Sequence, residues 1–211
     1  TRVLHVITDL RIGGAERSLF RLLQQSTGDG IEHRVISLLD GHPIGDWICE
    51  LGVEVTSLGL RSVIGGPSAL MRIRRIAAEW QPDVLQGWMY HGCVAGTLAT
   101  GALSDRPSLA WNIRHSLVDI KHEKWLTQRV IRTAARLSSR ADSIVWNSEV
   151  SRVHHEVIGF HGQRHAVIAN GVDSEHMQSR PADRVEIRAA WGVQDDTMIV
   201  GSVARFHPMK G

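Results

Sequence analysis

RVLHVITDLRIGGAER, residues 2–17, sets a branched apolar run against a pair of adjacent glycines and then a polar start to a helix. Read as physical chemistry, the run is a buried strand, because β-branched side chains suit a pleated surface covered on both faces. Gly13 and Gly14 then form a strand-to-helix turn, where the missing side chains let a ligand approach the backbone and the free N–H groups of the first helical turn attract anions. The pair is not the dinucleotide fingerprint G-x-G-x-x-G, since the two glycines are adjacent and no third follows at the required spacing. The alternative is a tight turn with Glu16 favourably placed near a helix N-terminus.

Working outward, the same strand-then-helix unit recurs. Residues 2–10, 32–40, 53–60, 82–89, 108–115, 141–148 and 164–171 read as strands, and 15–26, 44–51, 67–80, 91–102, 120–140 and 149–159 read as helices. This alternation predicts an α/β fold, a Rossmann-like doubly wound parallel sheet with helices on both faces. In such sheets ligands sit beyond the carboxyl ends of the strands. The segments there are RIGGAER, YHG, RHS, NSE and NGVD, which makes His91 and His115 candidate hydrogen-bonding groups near neutral pH. NSE reads more simply as a helix cap through Ser148, and NGVD as an Asn-Gly turn. Residues 174–196 read as a linker region containing the helix-like RVEIRAAWGV, and TMIVGSVAR (197–205) as a new strand. One strand with a loop cannot bury itself, so 197–211 are expected to open a second, truncated domain. In the closing RFHPMKG, Arg205 and Lys210 could share one anionic group, as a planar fork and a point charge.

Composition narrows the function classes. The chain has 211 residues, 43% of them hydrophobic, with a formal net charge of +2. No apolar run reaches membrane-spanning length and no charged-then-apolar leader is visible, which argues against a spanning segment or signal peptide. Two cysteines, Cys49 and Cys93, lie in helical-looking segments and suit reduced cytosolic thiols. The twelve histidines do not form H-x-x-x-H or H-E-x-x-H on one helical face, so no metal site is expected. Basic residues gather in 71–80 and in 124–141, where Arg129, Arg132 and Arg136 lie off an apolar stripe. That stripe reads either as a helix packed on the sheet with a solvated back, or as a face that touches anionic lipid.

Taken in order, GGAER, IRHS, NSE, IANGVD and GSVARFHPMKG resemble the landmarks of the retaining glycosyltransferases of family 4, also called group 1, which have the two-domain GT-B fold. The resemblance covers nearly the whole chain. It implies an acceptor-side domain over 1–173, the linker region 174–196, and the first strand and loop of a donor-binding domain over 197–211. It also implies that Gly13 and Gly14 approach the donor diphosphate together with Arg205 and Lys210, which match R-x-x-x-x-K. His115 would contact the donor sugar as the catalytic group, and Glu16, His91, Arg114 and Asn170 would lie near the acceptor or the donor sugar. The implied partners are a UDP- or GDP-sugar and a glycan or lipid-linked acceptor, with no cofactor, no metal and no nucleic acid. Fixed cations can stabilise a departing diphosphate without a metal. The expected place is the cytoplasm, at the inner face of a membrane if the basic stripe touches lipid. The family's paired glutamates, E-x7-E, are missing from the 211 residues, so this chain alone is expected to fold but not to turn over. A GT-B sugar-nucleotide epimerase, a nicotinamide-dependent oxidoreductase using Asp40 as a ribose ligand, and a non-catalytic binding module are the alternatives.

Overall fold

The computed structural model describes residues 1–26, 28–60, 66–101, 103, 105–172 and 178–203. The chain divides into two units, Thr1–Gly171 and Val172–Gly211. The first holds strands β1 (Arg2–Ile7), β2 (Glu32–Ser37), β3 (Glu54–Ser57), β4 (Val84–Trp88), β5 (Ser108–Ile113), β6 (Ser143–Trp146) and β7 (His165–Val167). Between them lie helices α1 (Gly14–Ser26), α2 (Ile44–Glu50), α3 (Gly66–Trp80), α4 (Met89–Thr100), α5 (Trp125–Leu137) and α6 (Glu149–Val157). All seven strands pair in parallel, in the order β3-β2-β1-β4-β5-β6-β7. The expected doubly wound sheet is present.

That order has a reversal between β1 and β4. Successive crossovers run outward from β1 to β3 and then, through α3, back to β4 and outward to β7. Because parallel crossovers are right-handed, the helices fall on opposite faces. One core packs α1 and α2 on Ile7, Val35 and Trp88. The other packs α3, α4 and α5 on Leu4, Val6, Leu85, Trp111 and Trp146.

Three indoles, Trp88, Trp111 and Trp146, are fully buried, and each N–H finds an acceptor, as a buried indole must. Trp88 Nε1 donates to His5 Nδ1 at 3.2 Å, Trp111 Nε1 to Thr97 Oγ1 at 3.1 Å, and Trp146 Nε1 to His165 Nδ1 at 3.0 Å. Two of the twelve histidines are therefore indole acceptors in the fold. Among the described residues no cluster of three or more metal-ligating side chains occurs.

Element boundaries differ from expectation where a side chain captures the backbone. The stretch 120–140 is not one helix: Asp119 accepts from Lys121 N at 2.8 Å and fixes a 3-10 turn, Ile120–His122, before α5 begins at Trp125. The strand read over 164–171 is only His165–Val167, an edge strand: the Ile168 N–H still donates to the Trp146 carbonyl at 2.9 Å, but the carbonyls of Ile168 and Gly171 accept from arginines rather than from a neighbouring strand. In the second unit, helix α7 (Pro181–Trp191) begins with proline at its first position and ends at Gly192 with φ 63°, the usual asymmetry of start and stop. Residues 197–203, read as the start of a strand, form none: no described segment pairs with them, and Met198, Val200 and Val203 are exposed.

Candidate functional site

The reversal between β1 and β4 opens a crevice at the carboxyl edge of the sheet, where a ligand meets several loops at once. Missing side chains let α4 pack directly on the strands there. A Cβ on Gly92 would meet the Val6 carbonyl oxygen at 2.2 Å, and one on Gly87 would meet Cys93 Cα at 2.5 Å. No loop separates β4 from α4. Met89 makes the turn in a left-handed conformation, φ 57°, costly for a non-glycine residue, and its Sδ accepts from Arg114 N at 3.3 Å.

At the turn from β1 to α1, Gly14 opens the helix, and a Cβ there would meet nothing within 4 Å. Gly13 is covered from one side, since a Cβ on it would meet Glu16 Oε2 at 2.1 Å. The Glu16 carboxylate bends back over the turn to its own backbone N–H, and burial raises its pKa despite that bond. Its negative charge lies in the first turn of α1, where the dipole favours it. Beside it Arg11 pairs with Asp9 at 2.7 Å.

His115, just past β5, is held on two sides. Its Nε2 lies 3.3 Å from Glu123 Oε1, and its carbonyl accepts from Ser151 Oγ of α6 at 2.6 Å. Its ring meets Tyr90 edge-on, centroids 6.4 Å apart. Tyr90 reaches His155 Nε2 at 2.8 Å, and His155 Nδ1 lies 2.6 Å from the Ser151 carbonyl. Burial lowers the His155 pKa to about 4, so the ring is neutral, Nδ1–H donates to Ser151 and Nε2 accepts from the tyrosine. The circuit Tyr90, His155, Ser151 and back to His115 fixes the position of the candidate catalytic group. Glu123 belongs to no motif in the sequence; its carboxylate serves as a partner to His115.

Arg114, one residue earlier, lies with Asn170. Its Nη1 donates to Asn170 Oδ1 at 3.2 Å and to the Ile168 carbonyl at 2.8 Å, while Arg21 Nη1 of α1 donates to the Gly171 carbonyl at 2.8 Å. The two arginines tie the segment after β7 across the carboxyl edge. Burial lowers the Arg114 pKa. Three buried polar atoms at this edge, Asn112 Oδ1, Arg114 Nε and Asn147 Oδ1, have no hydrogen-bond partner among the described residues. Such atoms are open positions for a ligand or water. Ser148 caps α6 as expected, accepting from Ser151 N at 3.1 Å. Asp40 Oδ1 accepts from His42 N at 3.2 Å in its own turn.

His91 begins the flank of α4 that lines a separate cavity of about 450 Å³ between α3, α4 and α5. Burial lowers its pKa, which leaves a neutral imidazole at pH 7. Arg205 and Lys210 lie outside the described residues.

Residues 12–176 match Glycosyltransferase Family 4. The chain belongs to this family. Its fold is that of Anabaena HepE in complex with UDP, at 21% identity and TM-score 0.74, covering 91% of this chain and 50% of that one. Sucrose-phosphate synthase of Thermosynechococcus elongatus aligns at 10% identity and TM-score 0.68, over 93% of this chain and 54% of that one. A glycosyltransferase of Rickettsia africae aligns at 10% identity and TM-score 0.65, over 92% and 50%. None of the curated proteins matches the chain by sequence. The chain spans about half the length of these solved structures, and it has the Rossmann-like N-terminal domain of the GT-B fold.

Proposed function

We propose that this glycosyltransferase family 4 chain is the acceptor-side domain of a retaining enzyme that moves a sugar from a UDP- or GDP-sugar to a glycan or lipid-linked acceptor. The observation that carries the reading is the His115–Glu123 pair, braced by Tyr90 and Ser151 at the carboxyl edge of a sheet whose residues 12–176 match the family. In this reading His115 contacts the donor sugar and Gly14 offers open backbone to the diphosphate. Arg205 and Lys210 complete the anion clamp, which stabilises charge as the nucleoside diphosphate departs. Glu16, Arg114 and Asn170 lie near the sugars, with Arg114 and Asn170 acting through the segment they hold in place, and His91 stands on the acceptor side, at the end of the α4–α5 cavity nearest the site. The family match favours transfer over epimerisation or hydride chemistry.

The 211-residue chain alone is expected to be inactive, and a longer form that continues into a donor-binding half active. The test is release of nucleoside diphosphate from UDP- and GDP-sugars in the presence of acceptor. Transfer by the 211-residue chain would overturn its proposed inactivity, and no transfer by a longer form with any donor would overturn the enzyme reading.

The reading extends to peripheral contact with a membrane at its cytoplasmic face. Among the described residues no helix is long and apolar enough to cross one. Arg129, Arg132 and Arg136 are exposed on α5, whose sequence WLTQRVIRTAARL contains no acidic residue. Co-sedimentation with anionic vesicles should be salt-sensitive and weakened when the three become glutamate; absence of binding at low salt would refute the contact.

A further inference from the structure

The cavity between α3, α4 and α5 is apolar except for His91, Arg129 and Thr133, and its volume of about 450 Å³ falls in the range of about 300–1,000 Å³ typical of ligand sites. We infer that it holds the hydrocarbon chain of one phosphate-bearing lipid, with Arg129 pairing the phosphate. This deepens the acceptor-side reading, and rests on it for the lipid's role as part of the acceptor.

The shape fits a chain. Along α4 the lining runs through His91, Val94, Ala95 and Leu98, eight residues from first to last, or about 10 Å at the helical rise. The opposite wall is two turns of α5, from Trp125 to Thr133. Both helices begin at the carboxyl edge of the sheet, so His91 and Trp125 mark the end nearest the candidate site, and Leu98 and Thr133 the end farthest from it.

The polarity fits an amphiphile with its head toward that site. The Arg129 guanidinium lies over the Trp125 ring at 5.1 Å, so the cation leans toward the carboxyl edge, as helical side chains do. At the far end the Thr133 hydroxyl donates to the Arg129 carbonyl at 2.9 Å within α5. Water-exposed apolar side chains flank the cavity, Trp125 at 62% and Leu98 at 44% exposure. Arg129 makes no ion pair with a described residue, and α5 carries no acid to neutralise it. An apolar slot with one uncompensated cation beside it suits a single anionic head on a hydrocarbon tail. A neutral lipid would leave the arginine unused, and a free anion would leave the slot empty.

The test is calorimetric titration of the 211-residue chain with dodecyl phosphate below its micelle concentration, alongside inorganic phosphate and dodecyl maltoside. Dodecyl phosphate should bind saturably at one site, with at least tenfold lower affinity for either control. Thr133→Trp, an exposed position that fills the slot without touching the core, should weaken binding at least tenfold. Arg129→Glu should do the same for dodecyl phosphate while leaving dodecyl maltoside unchanged, and Ala95→Phe gives a second occlusion from α4. Unfolding midpoints near that of the unsubstituted chain confirm that each variant folds. Four outcomes would overturn the inference: no binding, equal binding of inorganic phosphate, binding indifferent to both Thr133→Trp and Arg129→Glu, or a dimer that Thr133→Trp dissociates. Failure here leaves transfer to a soluble acceptor by a longer form untouched, and failure of transfer leaves dodecyl phosphate binding in place.

Discussion

Replacing Gly92 with alanine tests how tightly α4 is set against the sheet. The new Cβ would meet the Val6 carbonyl oxygen at 2.2 Å and its carbon at 3.0 Å, with Ile7 Cα at 3.4 Å. These are backbone atoms of a strand paired on both sides, so no side chain can swing away. Overpacking costs about 1–3 kcal/mol, and a clash with a fixed strand belongs at the upper end. The gain in helix propensity from Gly to Ala returns about 1 kcal/mol, leaving a net loss of about 2 kcal/mol. For a unit of this size that lowers the melting temperature by about 4–8 °C. Gly14→Ala is the control, because its Cβ enters open space. It should hold or raise the melting temperature, yet weaken diphosphate binding in a longer form. Thermal unfolding followed by circular dichroism reads both variants. A Gly92→Ala melting temperature equal to that of the unsubstituted chain would refute the close-approach argument.

Acid should loosen the fold through two neutral histidines. Burial lowers the His155 pKa to about 4 and, with help from His33, the His5 pKa to about 3, so their stabilisation is present above the unfolded value of 6.5 and is lost as pH falls toward the folded values. By pH 5 the loss approaches about 2 kcal/mol for each; urea midpoints at pH 7 and 5 should differ less in His155→Gln than in the unsubstituted chain, and identical pH dependence would refute it. Arg114→Lys keeps the charge but loses the geometry that reaches Ile168 and Asn170, so exchange of the Ile168 amide, bonded to the Trp146 carbonyl at 2.9 Å, should speed about tenfold for a loss of roughly 1.4 kcal/mol. Glu123→Gln in a longer form should cut transfer about tenfold, equivalent to about 1.4 kcal/mol of barrier. The same change should move stability by less than about 1 kcal/mol, and equal transfer rates would remove Glu123 from the site.

The sheet was legible because its central strands, covered on both faces, must be apolar along most of their length, as the runs that become β1, β4 and β5 are. Their carboxyl ends were legible for the same reason: a run that stops being apolar stops being covered. Glu123 was not, because its partner is eight residues away across a 3-10 turn that only Asp119 establishes. Gly87 and Gly92 belong to no motif in the sequence, and only the closeness of α4 to β1 and β4 gives them a role. Arg114 and Asn170 were placed near the sugars by motif, but their mutual bond spans 56 positions and depends on where β7 ends. Residues 197–203 form no strand among the described residues because a strand is a property of a pair, and their own sequence carries only half of it.

Glu16, folded over Gly13, gives the first helix an anion of its own. A visitor with a phosphate would find the seat taken by a tethered occupant of the same sign. Entry there is an exchange: the carboxylate must leave for water or take up a proton, and its raised pKa makes the second route less costly. The turn is thus kept in order while vacant, and part of any phosphate's grip is discounted by what it displaces. A domain built this way favours ligands that bring other points of attachment over a bare anion.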